Sequence, residues 1–225
     1  MRATVWLYLF AADTLADLCS IGFGWNGLRY FTKPLIVALL AAYMMASVSH
    51  TRKGFFVLLG ALLGSLLGDV FLLADENGGG WFMAGLGSFL AAHICYIFFF
   101  RGVPLSLPAQ RPPQKTGMNL MVIIWVAGLL LFLFPVLGPL RIPVLLYSTA
   151  LCWMVLAALR VYGPGNQPAG RLCAWGAWLF LISDSLLAIG RFYHPLPLGA
   201  ILVMSSYAMA QLLMVLGCLR YLEVP

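Results

Sequence analysis

The residues best equipped for chemistry are four aspartates set inside apolar runs. Asp13 and Asp17 lie in WLYLFAADTLADLC, Asp69 in GSLLGDVFLLA and Asp184 in LFLISDSLLAI. An acid held in hydrocarbon costs about 2.5–3.5 kcal/mol on the insertion scale, and aspartate is too short to reach far toward water. Acids placed this way converge on a wet cavity inside a bundle, or they bond to a neighbouring helix as structural glue. Asp13 taken alone fits the second role. Asp69 and Asp184, each following a small residue late in an apolar segment, point as a pair to chemistry. An aspartate in water has a pKa near 3.9. Burial raises that value by up to about 3–5 units, and a second carboxylate raises one member of a pair further. Two acids in one partly dry site therefore separate into a proton donor and a base. Glycosidases divide labour this way around an oxocarbenium-like state. Asp75 and Glu76 differ: they close their apolar run and mark the edge of water.

The elements that position these acids are membrane spans. The chain has 225 residues, 63% hydrophobic and 9% charged, with a mean hydropathy of +0.97. A soluble domain carries roughly 25% charged residues. Helices of about 20 apolar residues cross a bilayer, and eight segments qualify, at approximately 3–21, 32–49, 54–74, 82–100, 119–137, 142–160, 172–190 and 198–219. The expected fold is all-α, a polytopic membrane protein of eight transmembrane helices forming one domain over residues 1–225. The proline-rich connection 101–117 divides it into halves 1–100 and 118–225. GPGNQPAG, residues 163–170, is a second breaker. Asp13 and Asp17 interrupt the first segment, which therefore reads as a retained helix rather than a cleaved signal. The five cysteines are scattered singly and read as small buried hydrophobes. The net charge of +6 reflects loop residues that set orientation, not nucleic-acid binding. Four of the 13 basic residues, Arg29, Lys33, Arg141 and Arg191, fall on one face and the other nine on the opposite one. Both termini are then cytoplasmic, in what reads as a bacterial inner membrane.

Topology converts position into depth. At 1.5 Å per residue, Asp69 lies about 7 Å below the outer end of its helix, Asp184 about 9 Å, Asp17 about 6 Å and Tyr147 about 7 Å. Lys33 stands at the outer mouth of the second segment. Asp13, His93, Tyr207 and Gln211 fall near the midplane. The polar groups thus share one slab in the outer leaflet. TKPLIV and RIPVLL both open on proline, a favoured first-turn position, and each precedes one of the two acid-bearing helices. This suggests a 4+4 parallel pseudo-repeat. His50, His93 and His194 fall at different depths, so no metal site and no cofactor are expected. A transporter using intramembrane acids is the competing class, but a one-sided polar pocket favours an enzyme.

TKPL (32–35), GD (68–69) followed by FLL, FLAAHICY (89–96), LFLISDSLLAI (179–189) and YAMAQLL (207–213) together resemble the YhhN family of eight-helix membrane proteins, which includes the lysoplasmalogenases. The resemblance covers nearly the whole chain. It implies hydrolysis of the vinyl ether bond of alkenyl-glycerophosphocholine or alkenyl-glycerophosphoethanolamine to a fatty aldehyde and a glycerophospho-alcohol. Its polar motif positions here are Lys33, Asp69, His93, Tyr96, Ser183, Asp184, Tyr207 and Gln211. Vinyl ether cleavage needs a proton for the outer alkene carbon and a negative charge near the resulting cation, which suits an Asp69–Asp184 pair. Tyr147, Tyr207 and Gln211 would hold the pair or the glycerol hydroxyl. Lys33, with Arg191 or Arg29, would bind the phosphate. Partners implied are the lysophospholipid and the bilayer, and no nucleic acid. His93 reads more readily as a helix–helix contact than as a catalyst.

Overall fold

A computed structural model describes residues 3–75, 80–103, 116–162 and 168–223. Glu76, most of the connection 101–117, and residues 163–167 of GPGNQPAG lie outside the described residues. The fold is eight helices: α1 (Thr4–Phe23), α2 (Asn26–Ser47), α3 (Phe55–Asp75), α4 (Phe82–Gly102), α5 (Thr116–Leu133), α6 (Arg141–Val161), α7 (Ala169–Phe192) and α8 (Gly199–Glu223). Each is long and apolar enough to cross a membrane. The molecule is an integral membrane protein.

Two boundaries differ from the sequence expectation, each for a local reason. Helix α2 begins at Asn26, not near residue 32, so Pro34 sits inside the helix rather than in its first turn. Arg29, Thr32 and Lys33 recur at helical spacing and are all buried, while Leu28, Tyr30 and Phe31 on the opposite side are exposed. A polar stripe facing inward reads in the sequence as a loop. Helix α5 stops at Leu133, not 137. Pro135 disfavours helical geometry at Phe134, and a 3-10 turn at Gly138–Leu140 leads into α6.

Helices α7 and α8 lie so close that a Cβ on Gly176 would meet the Met214 backbone nitrogen at 2.9 Å and the Ala210 oxygen at 3.0 Å. Gly64 does the same between α3 and α4, against the Ala92 nitrogen and Ser88 oxygen at 3.0 Å. Small residues permit such approach where the hydrophobic effect does not drive helices together. Cys173 and Cys218 are buried in the α7–α8 seam, whereas Cys19 is exposed, unlike the buried cysteine expected. Most of the neighbour pattern survives exchange of the halves, although α1 packs on α8 and α5 has no matching seam with α4. α1·α2 matches α5·α6, α2·α3 matches α6·α7, α3·α4 matches α7·α8, and α2·α8 matches α6·α4. Helix α5 is peripheral: it packs on α6 and lightly on α7. Consecutive helices alternate in direction. One end of the bundle therefore gathers the last turns of α1, α3, α5 and α7 with the first turns of α2, α4, α6 and α8.

Candidate active site

That end holds the polar interior. Asp69, six residues before the end of α3, accepts a 2.7 Å hydrogen bond from the Tyr207 hydroxyl near the start of α8. The chain continues inward: Gln211 Nε2 donates to the Tyr207 oxygen at 3.2 Å, and the Tyr96 hydroxyl donates to Gln211 Oε1 at 3.1 Å. Tyr96 belongs deep in α4, but helical side chains lean toward the N-terminus, which brings its hydroxyl back toward the midplane. Asp69, Tyr207, Gln211 and Tyr96 are all buried.

Asp184 on α7 heads a second network. The Tyr147 hydroxyl donates to its Oδ2 at 2.6 Å, and His93 Nε2 lies 3.1 Å from that hydroxyl and 3.6 Å from Oδ2. His93 thereby ties α4 to α6 and α7. Its Nδ1 is buried without a partner among the described residues. Between the two networks stand aromatic rings: Phe180 meets His93 edge-on at 5.0 Å and Tyr207 at 5.6 Å. Asp69 and Asp184 thus share no hydrogen bond among the described contacts. Asp69 nonetheless lies within Coulombic range of Asp184, and also of Lys33 and Asp17. The difference in access is plain. Asp69 is 2% exposed, whereas the Asp184 side chain is 13% exposed and, with Tyr147 and Ser148, supplies polar groups to the wall of an apolar cavity.

This cavity, about 60 Å³, lies among α3, α4, α5, α6 and α7, and its floor is formed by Phe89, Val126, Leu151 and Leu181. Ser185 on the same wall accepts a 3.1 Å bond from Trp125 Nε1, joining α5 to α7. A second pocket, about 310 Å³, is lined by Arg29, Lys33 and Arg191 with apolar side chains and no acid among the described residues. Leu187 and Arg191 line both spaces. Lys33 does not stand at the mouth of α2, which begins at Asn26: it is 6% exposed and turned into the bundle.

Several placements depart from the sequence expectation. Asp75 is buried, not at the edge of water, because its two oxygens are occupied: Arg191 binds Oδ2 at 2.7 Å and the Phe82 backbone N–H binds Oδ1 at 3.0 Å. It links α3, the start of α4 and α7. Ser183 donates to the Val203 carbonyl at 3.0 Å and joins α7 to α8 rather than facing either pocket. Asp17 is fully buried and accepts a 2.6 Å bond from Thr32, joining α1 to α2. Asp13, one turn away, is half-buried. Arg29 joins Lys33 and Arg191 in the second pocket, and its helical spacing from Thr32 and Lys33 is the sequence signal that marks it. Among the described residues, no three His, Cys, Asp or Glu side chains gather as metal ligands would.

A model of the YhhN family matches residues 28–218. The chain is 37% identical over 199 residues to a lysoplasmalogenase of Mycobacterium bovis, covering 87% of this chain and 71% of the relative. It is 32% identical over 190 residues to lysoplasmalogenase TMEM86B of Homo sapiens, covering 84% and 74%. With lysoplasmalogenase TMEM86B of Sus scrofa it shares 35% over 161 residues, 70% and 61% of the two chains. No solved structure matches.

Proposed function

The chain belongs to the YhhN family, and from that premise we propose that it is a lysoplasmalogenase, hydrolysing the vinyl ether of alkenyl-glycerophosphocholine or -ethanolamine. The observation that carries this reading is the placement of Asp184. Its carboxyl opens onto an apolar cavity that meets a three-cation pocket at Arg191 and Leu187. The substrate has the same order of parts: phosphate, glycerol, vinyl ether, chain. Asp184 and Arg191 are seven residues apart, so about 10 Å of helix separates them. A phosphate held by Arg29, Lys33 and Arg191 places the alkene beside Asp184.

Tyr147 occupies Oδ2, which leaves Oδ1 to carry the proton toward the cavity. Asp184 Oδ1 gives that proton to the outer alkene carbon, and the electrons of the double bond form the new C–H bond. The ether carbon becomes an oxocarbenium ion. The ionised Asp184, aided by the field of Asp69, stabilises it. Water adds to that carbon and returns a proton to Asp184. The hemiacetal then breaks its bond to the glycerol oxygen, which takes up a proton as the aldehyde carbonyl forms. Tyr147, with His93 behind it, holds Asp184 in position; Tyr207 and Gln211 hold Asp69. Thus Asp184 is the reacting acid and Asp69 a sealed electrostatic partner.

The basic-residue excess supports cytoplasmic termini and a site in the outer leaflet of a bacterial inner membrane. The paired neighbour pattern supports halves 1–100 and 118–225 as parallel repeats within a single membrane domain. The test is aldehyde release from lysoplasmalogen by the purified protein in detergent. Absence of aldehyde, with ligand flux across liposomes instead, would establish a carrier and overturn the hydrolase.

A further inference from the structure

We infer that the alkenyl chain of the substrate leaves the cavity sideways, through a portal between α4 and α5 whose sills are Leu86 and Leu129. This rests on the hydrolase reading above and adds the route of the chain. With the alkene at Asp184, the cavity continues inward only to Leu181 on α7 and Leu151 on α6. Those residues are three and four positions beyond Asp184 and Tyr147, about 5–6 Å. A lipid chain spans half of a ~30 Å hydrocarbon core, about 15 Å. Most of it therefore has no room below the acid. Turning back toward the mouth would carry its end to the level of the cationic pocket, and each methylene left in water there costs about 0.8 kcal/mol.

The remaining direction is lateral. Leu86 on α4 and Leu129 on α5 both line the cavity. Yet neither α3 nor α4 forms extended packing with α5, which rests on α6 and lightly on α7. The wall on that side is two rows of side chains without a helix–helix seam behind them. Bilayer flanks it: Met83 of α4, one turn from Leu86, is exposed, and Met121, Ile124, Leu131 and Phe132 expose the face of α5 opposite its cavity-lining residues. Only a chain long enough to cross the sills uses the portal, so Leu86 and Leu129 govern chain length and not the chemistry.

The experiment compares alkenyl-glycerophosphoethanolamines bearing hexenyl or octadecenyl chains on wild type, Leu129→Trp, Leu86→Trp and the milder Leu129→Phe. A filled portal lowers kcat/KM for the octadecenyl substrate by about tenfold or more, the effect of displacing two methylenes. The hexenyl substrate, too short to cross the sills, loses at most about a third of that factor, and a detergent melting curve on each variant shows that it is folded. Equal losses on both chains, or no loss on either across all three variants, overturn the portal while leaving the hydrolase intact. A wild type that releases aldehyde from neither chain overturns the hydrolase reading and the portal with it.

Discussion

Replacing Asp184 by Asn removes one proton and almost nothing else. The amide is isosteric, its oxygen still accepts from Tyr147, and the lining of both pockets is unchanged. General acid catalysis contributes about 10²–10⁴-fold, so kcat falls by at least about 100-fold, which is 2.7 kcal/mol at 1.36 kcal/mol per decade. KM stays within about threefold, because ground-state binding comes from cations and apolar walls that the variant keeps. The 2.6 Å bond from Tyr147 is neutral to the protonated acid and to the amide alike, so the cost to stability is at most about 1 kcal/mol. Such a change moves Tm by about 2–4 °C in a domain of this size. The assay couples released aldehyde to NADH oxidation by an alcohol dehydrogenase, with a detergent melting curve on the same sample. Asp69→Asn serves as the comparison. Its carboxyl acts through space; at roughly 10 Å and an effective dielectric of about 20, one charge contributes about 1.7 kcal/mol. A kcat loss of at least about tenfold with unchanged KM follows. If Asp184→Asn retains more than a tenth of wild-type kcat while folded, the alkene takes its proton elsewhere and the assignment fails.

Lys33→Met keeps the side-chain volume and removes a cation from the phosphate pocket. A charge-assisted contact of about 1.5–3 kcal/mol is lost, so KM rises tenfold or more with kcat little changed; a fall in kcat alone would remove Lys33 from the headgroup. Gly176→Ala drives a methyl into the Met214 and Ala210 backbone at 2.9 and 3.0 Å. Overpacking of this kind costs about 1–3 kcal/mol, read as a lower melting temperature in detergent. An unchanged melt would mean that α7 and α8 slide apart freely.

The eight spans and the polar end were legible because hydropathy and span length are properties of contiguous residues. The entry of α2 was not. Arg29, Thr32 and Lys33 count against a helix in any linear tally, and only the position of their neighbours Leu28, Tyr30 and Phe31 on the opposite face shows that the polarity points inward. Asp75 was misread for the same reason: its partners, the Phe82 N–H and Arg191, come from other helices. The matched settings of the two acids late in α3 and α7 are visible in the sequence, but that they head separate networks is not. Which one meets the cavity depends on Tyr147, His93 and Phe180 arriving from α6, α4 and α7, and no local pattern records that meeting.

The inward hydrogen-bond chain ends at Tyr96, whose ring stacks on Phe100 at 6.3 Å. Beyond it, Met44, Leu58 and Phe100 are completely buried. A protein that protonates and deprotonates a carboxyl inside a bilayer risks becoming a leak for any proton gradient across it. Here that stretch of hydrocarbon side chains acts as an electrical stopper, so catalysis proceeds without short-circuiting the membrane that houses it.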